Sequence, residues 1–127
     1  MNLPEQYQQF HAEIRSTIPE SRIFTDPVRT LAYGTDASFY RLIPKIVVKV
    51  RTVPEVTAVI HAAHLHKVPL TFRAAGTSLS GQAVTDSVLV MLTGAWGRYE
   101  VLEDGDKIVL EPGIIGAEAN LYLKPYA

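Results

Sequence analysis

The sequence has no cysteine, which excludes disulfides, Cys-ligated zinc and iron–sulfur chemistry within these residues. Net charge is almost absent as well. Twelve Lys and Arg against 13 Asp and Glu give a formal −1, so nothing points to nucleic acid or an anionic membrane as a partner. No apolar run approaches the ~20 residues of a membrane-spanning helix. Glu5, Glu13, Arg15 and Glu20 interrupt the first twenty positions, which excludes a secretory signal there and leaves a cytoplasmic location as the default. No Ser-His-Asp order and no thiol nucleophile is present, so no catalytic residue is assigned. Repeats, linkers and low-complexity stretches are also missing.

What is present suits one soluble domain. At 127 residues and 47% hydrophobic, the chain can bury a sizeable core. The residues at its centre are Arg73-Ala74-Ala75-Gly76-Thr77-Ser78-Leu79-Ser80-Gly81-Gln82. Strand-like runs flank them, Pro69–Phe72 before and Val88–Leu92 after. Small residues and glycines allow a phosphate to approach the main chain, and successive amides form an anion-binding nest. Thr77, Ser78 and Ser80 add hydroxyl donors, and Arg73 adds fixed positive charge. The spacing matches neither the Walker loop nor GxGxxG. On residue types alone, a small-residue turn between two buried strands fits equally well.

The run RAAGTSLSGQ closely resembles the phosphate loop of the vanillyl-alcohol-oxidase-type flavoproteins, the PCMH-type FAD-binding fold. Within that family it is most similar to the FAD-linked 2-hydroxyacid dehydrogenases, in which the loop commonly reads Arg-Gly-x-Gly-Thr-Ser-x-Ser-Gly. Ala74 stands at the first glycine of that pattern, a change small enough to keep the backbone accessible.

Along the chain, Leu3, Tyr7, Phe10, Ile14 and Ile18 recur at helical spacing and predict a first helix ended by Pro19. Asp26-Pro27 predicts the N-cap and first turn of a second, stopping at Gly34. Asp36 and Ser38 suit an Asx turn within Tyr33–Tyr40. Residues 44–50 read as a strand, and Thr52 with Glu55 as a capping box opening a helix to about His66. Val56, Val59, Ile60 and Ala63 form the expected buried face. With the strand at 70–72 this makes a β-α-β unit of parallel strands, and the loop lies at the carboxyl end of the second strand, as α/β ligand sites do. After the loop Thr93–Gly97, Asp104-Gly105 predicts a hairpin of Tyr99–Glu103 with Lys107–Glu111. Pro112-Gly113 ends it, and a helix from Gly116 to Leu123 turns Ala117, Leu121 and Leu123 inward. The fold class is therefore α+β: a β-α-β unit with a small mixed sheet, a hairpin and flanking helices. His61, His64 and His66 share a helix, but no third ligand completes a zinc site, and a solvated helix face explains them.

The resemblance covers about Pro19 to Ala127 and implies the N-terminal subdomain of the PCMH-type fold. Residues 1–40 would be a helical lead-in and 44–127 the part that binds the FAD pyrophosphate. It implies FAD as cofactor, held by Arg73 through Gln82 and by Gly113, where Glu111-Pro112-Gly113 resembles a unit lying near the flavin. The parent enzyme would pass a hydride from the α-carbon of a 2-hydroxy acid to flavin N5. Its substrate and proton-abstracting groups would stand in a later cap domain. Relatives continue past this point, so the chain reads as a truncated piece, inactive alone, weak in FAD affinity, and expected to self-associate through the face meant for the missing C-terminal part. Two alternatives remain at this stage. One is a non-catalytic phosphate- or nucleotide-binding module using the same loop; the other is a structural fragment that binds nothing.

Overall fold

The computed structural model describes residues 3–92 and 94–127; the Thr93 end of the predicted Thr93–Gly97 loop lies outside them. Helix α1 (Glu5–Ile14) buries Tyr7, Phe10 and Ile14 on one stripe. It ends sooner than the apolar spacing predicts. Ile18 is fully buried, but it hangs from a turn in which its amide donates to Ile14 O at 2.8 Å. Strand β1 (Ile23–Phe24) follows, then helix α2 (Pro27–Ala32). Asp26 caps α2 as expected, accepting from the Arg29 amide at 3.0 Å.

Strand β2 (Ile46–Lys49) leads into helix α3 (Val53–His66) and strand β3 (Leu70–Arg73). The β-α-β unit forms, but its two strands are not neighbours. The sheet order is β1-β2-β4-β3, with β4 (Val88–Met91) inserted between them and parallel to both. Both outer faces of this pair are covered, which is why its strands read as unbroken apolar runs rather than alternating ones. Ile46, Val48, Val88 and Val90 face the main core with Phe10, Ile14 and Val59. Val47, Leu89 and Met91 face the opposite side with Phe24 and Tyr33.

Two helical details differ from expectation. Ala62 joins Val59 and Ala63 on the buried face of α3, while Ile60 points outward at 49% exposure. The capping box at Thr52 is half formed. Thr52 Oγ1 accepts from the Glu55 amide at 3.3 Å, but the Glu55 carboxylate accepts from the Arg51 amide and from Arg22. A stronger partner has taken the return bond: Arg22 meets both carboxylate oxygens, at 2.7 and 2.8 Å, and also donates to Lys49 O at 2.9 Å. That joint fastens the approach to β1 onto the start of α3 and the end of β2.

The hairpin of β5 (Tyr99–Leu102) and β6 (Lys107–Leu110) is antiparallel as predicted. Its turn is longer than a two-residue Asp-Gly loop, because Glu103, Asp104 and Gly105 all take positive φ, at 52°, 53° and 101°. Helix α4 (Gly116–Leu123) has the predicted limits. Its orientation is different: Ala119 is its buried residue, and Ala117 and Leu121 are exposed. The hairpin supplies the reason. It docks on α4 through Tyr99 stacked on Tyr122, with ring centroids 3.7 Å apart, which turns the Tyr122 side of the helix inward. Among the described residues, no helix is long and apolar enough to cross a membrane.

Candidate functional site

Arg73 ends β3, in register with Met91 of β4. The connection back to β4, residues 74–87, contains no helix and stands at the carboxyl ends of the parallel strands. Position 76 takes φ 70° and position 81 takes φ 74°, a region in which side chains other than glycine are strained. The two glycines therefore fix where the loop turns. Between them the chain is shaped by one hydroxyl. Ser78 Oγ accepts from the amides of Ser80 and Gln82 at 3.3 and 3.2 Å, and contacts Gln82 Oε1 at 3.3 Å. Ser78 and Gln82 thus build the loop from within. Thr77, Leu79 and Ser80 are exposed. Among the described residues, the Thr77 and Ser80 hydroxyls and the amides of Thr77, Ser78 and Leu79 have no intramolecular partner.

Arg73 sits differently from a surface cation. It is buried, its Nε donates to Ala83 O at 2.9 Å, and its Nη2 donates to Tyr33 O at 3.1 Å and also to Ala83 O. Burial pushes its guanidinium below the usual arginine value, while Asp36 and Tyr33 draw it back up. Asp36 forms the predicted Asx turn, its Oδ1 accepting from the Ser38 amide at 2.8 Å. Its Oδ2 also accepts from the Ala83 amide at 3.4 Å. The Ser38 side chain, then its amide, that of Ala83 and the charge of Arg73 hold the Asp36 carboxyl below the ordinary range.

Gly113 reaches the same place from the other side of the sequence. Its amide donates to Trp96 O at 2.7 Å. A Cβ there would stand 2.3 Å from that oxygen, so the position has no room for a side chain. Ala74, Ala75 and Thr77 line one wall of an open cleft of ≈ 540 Å³, and Gly113, Ile114 and Ile115 line another. Leu92 and Gly94 lie between them. The structure thus brings Ala74, Ala75, Thr77 and Gly113 together, while Arg73 is turned into the protein beneath them. The described residues lining the cleft include no carboxylate, imidazole, amine or thiol. The contribution to the loop of Tyr33, Asp36, Ala37, whose amide donates to Gly76 O, and Tyr40, whose ring lies against Gly81, is not visible in the sequence. An Asx turn reports only its own local bond, and nothing in the spacing says what else its carboxylate holds.

His61 and His64 lie along a shallow depression on α3 with Thr57 and Ile60. Among the described residues, no group of three or more His, Asp or Glu is arranged to hold a metal ion.

A cleft at the carboxyl ends of parallel strands, walled in part by a glycine-bent loop, stands where α/β folds take phosphate-bearing cofactors. Residues 44–127 match the family described as "FAD binding domain", and the chain belongs to that family. It is 31% identical over 124 residues to glycolate oxidase subunit GlcD of Escherichia coli, covering 88% of this chain and 24% of that protein. It is 30% identical over 100 residues to D-2-hydroxyglutarate dehydrogenase of the same organism, covering 76% of this chain and 10% of that one. The chain therefore spans a quarter or less of the length of these relatives. Among solved structures it is similar to p-cresol methylhydroxylase with substrate bound, at TM-score 0.72 and 14% identity, covering 97% of this chain and 25% of that one. The fold is that of the PCMH-type FAD-binding domains, and FAD is the cofactor of the family. The residues present fit it: two glycines bend the loop, the amides of Thr77, Ser78 and Leu79 and the Thr77 and Ser80 hydroxyls have no partner among the described residues, and the cleft beside it is open.

Proposed function

We propose that this chain is the pyrophosphate-binding part of a flavin-dependent oxidoreductase that oxidises a 2-hydroxy acid. The observation that carries the proposal is the single cleft that joins Ala74, Ala75 and Thr77 to Gly113. Residues 44–127 form the cradle, and the segment before them leads into it. Within the Ala74–Gln82 loop, the amides of Thr77, Ser78 and Leu79, with the Thr77 and Ser80 hydroxyls, donate hydrogen bonds to the pyrophosphate, and Ser78 and Gln82 hold the loop's shape. Arg73 adds positive charge from below, and Gly113 lets the opposite wall close in. When bound, FAD supplies the hydride acceptor for oxidation of the substrate's α-carbon. The described residues lining the cleft offer no acid or base, so the groups that bind the substrate and remove its hydroxyl proton belong to the rest of the enzyme. These 127 residues bind and orient the cofactor and do not turn over substrate alone. Exposed Ile115 and Leu121 support self-association when that remainder is absent.

Titration with FAD and FMN, read by flavin fluorescence, tests the reading. FAD is expected to bind in preference to FMN, with inorganic pyrophosphate competing, and Gly76→Val should abolish the preference. Equal affinity for the two flavins, or FAD affinity unmoved in Gly76→Val, would overturn it.

A further inference from the structure

The family match begins at residue 44, yet the cofactor loop is fastened from residues before it. Tyr33 O accepts from Arg73 at 3.1 Å, and the Ala37 amide donates to Gly76 O at 3.1 Å. Asp36 accepts from the Ala83 amide, and the Tyr40 ring lies over Gly81, 2.7 Å from where a Cβ would be. One turn thus grips the loop at its start, near 73 and 76, and at its end, near 81 and 83.

We infer that the Tyr33–Tyr40 turn is an integral part of the cofactor site, with Asp36 as the positioning residue that sets the shape of the 73–83 loop and Arg73 as its clamp. The inference rests on the reading of that loop as the pyrophosphate holder. Arg73 directs Nε and Nη2 to main-chain carbonyls, so this side of its fork works on loop shape. Asp36 uses one oxygen on its own turn, at Ser38, and the other across the gap, at Ala83. From the side of the turn, it therefore ties the geometry of one segment to the other, as Arg73 does from the side of the loop. An anion held by amides is sensitive to such ties, because each amide contributes only when it is aimed at the same point.

The test uses the full chain and the variants Asp36→Ala and Asp36→Asn. Asparagine keeps an acceptor oxygen for one of the two amides; alanine keeps none. In Asp36→Ala, hydrogen exchange at the Ala83 amide should rise about tenfold, the size of one lost hydrogen bond to a charged group. The NMR amide signals of Gly76 and Gly81 should shift, and FAD affinity should fall by a similar factor. Protection of the β2 and β4 amides should stay unchanged, and Asp36→Asn should recover part of each loss. A loss of global stability in Asp36→Ala, with loop exchange, Gly76 and Gly81 signals and FAD affinity unmoved, would overturn the inference. Failure of the unmodified chain to bind FAD would count against the cofactor reading instead, and the loop exchange would still decide whether Asp36 sets the loop's shape.

Discussion

The Gly113 amide donates to the Trp96 carbonyl at 2.7 Å, and the same carbonyl occupies the space that any side chain at 113 would need. Contact and exclusion have one origin: the chain after β6 crosses directly over the backbone before β5. Trp96 is anchored in turn, its indole donating to Val50 O at 2.9 Å. Gly113→Ala must therefore move main chain against the buried Trp96, at a cost of about 1–3 kcal/mol, as for other overpacked contacts. Because Trp96 is the sole tryptophan, its emission should shift in the variant, and urea denaturation should show a lower midpoint.

Legibility in the sequence followed the range of the interaction. The limits of α4, the Asp26 cap and the hairpin partners depend on neighbours a few positions away, and local patterns showed them. The insertion of β4 between β2 and β3 depends on which apolar run fits the middle of a doubly covered sheet, and periodicity is silent on that. Glu55 shows the same limit: Thr52-x-x-Glu55 is a local pattern, yet Arg22, 33 positions away, takes the carboxylate. For the candidate site, residue types left the loop balanced between an anion nest and a plain turn, and its resemblance to a known phosphate loop singled it out, while its fastening to Tyr33–Tyr40 is non-local and does not show in the spacing.

The Arg22–Glu55 pair gives a pH dependence whose sign is fixed. Both side chains are 13% exposed. Hydrogen bonds from Arg22, then from the Arg51 amide, hold the Glu55 carboxyl below its ordinary value. A depressed folded-state value means stability that is fully present above the unfolded glutamate pKa, near 4.3, and lost as pH falls through the lower folded value. Stability should be flat from pH 7 to 5 on this account and fall below about pH 4. Glu55→Gln should flatten that acid limb, and Arg22→Ala should cost about 3 kcal/mol by leaving a carboxylate half-buried without its partner. Urea midpoints measured across pH check both.

A buried hydroxyl relay joins α1 to the sheet. The Tyr7 hydroxyl lies 2.8 Å from Ser87 Oγ, and Ser87 Oγ donates to Pro69 O at 2.7 Å. Tyr7→Phe removes the outer donor and should cost about 1 kcal/mol. Ser87→Ala strands the buried Tyr7 hydroxyl and takes one of two donors from Pro69 O, which keeps the Val88 amide at 3.3 Å, and should cost more, about 2 kcal/mol. Equal losses in chemical denaturation would contradict the relay.

The face of α3 can be checked the same way. Val59 is fully buried and Ile60 half exposed, so Val59→Ala should cost about 2 kcal/mol through the cavity it leaves. Ile60→Ala should stay within about 0.5 kcal/mol. The reverse ranking in thermal unfolding would mean that α3 is rotated relative to the sheet.

At Gly81 two penalties overlap, and they are separable. Its φ of 74° strains any residue with a Cβ, by about 1–2 kcal/mol, and that Cβ would meet the Tyr40 ring at 2.7 Å. Tyr40 is 61% exposed, so its ring can swing aside and the clash should be the smaller part. Gly81→Ala should therefore destabilise the chain by about the backbone amount, with little of it recovered by adding Tyr40→Ala. Gly81→Asn should be milder, since asparagine tolerates this region better than alanine. If the double variant Gly81→Ala with Tyr40→Ala instead regained nearly all the lost stability, the ring contact rather than the turn of the loop would be what demands glycine at this position.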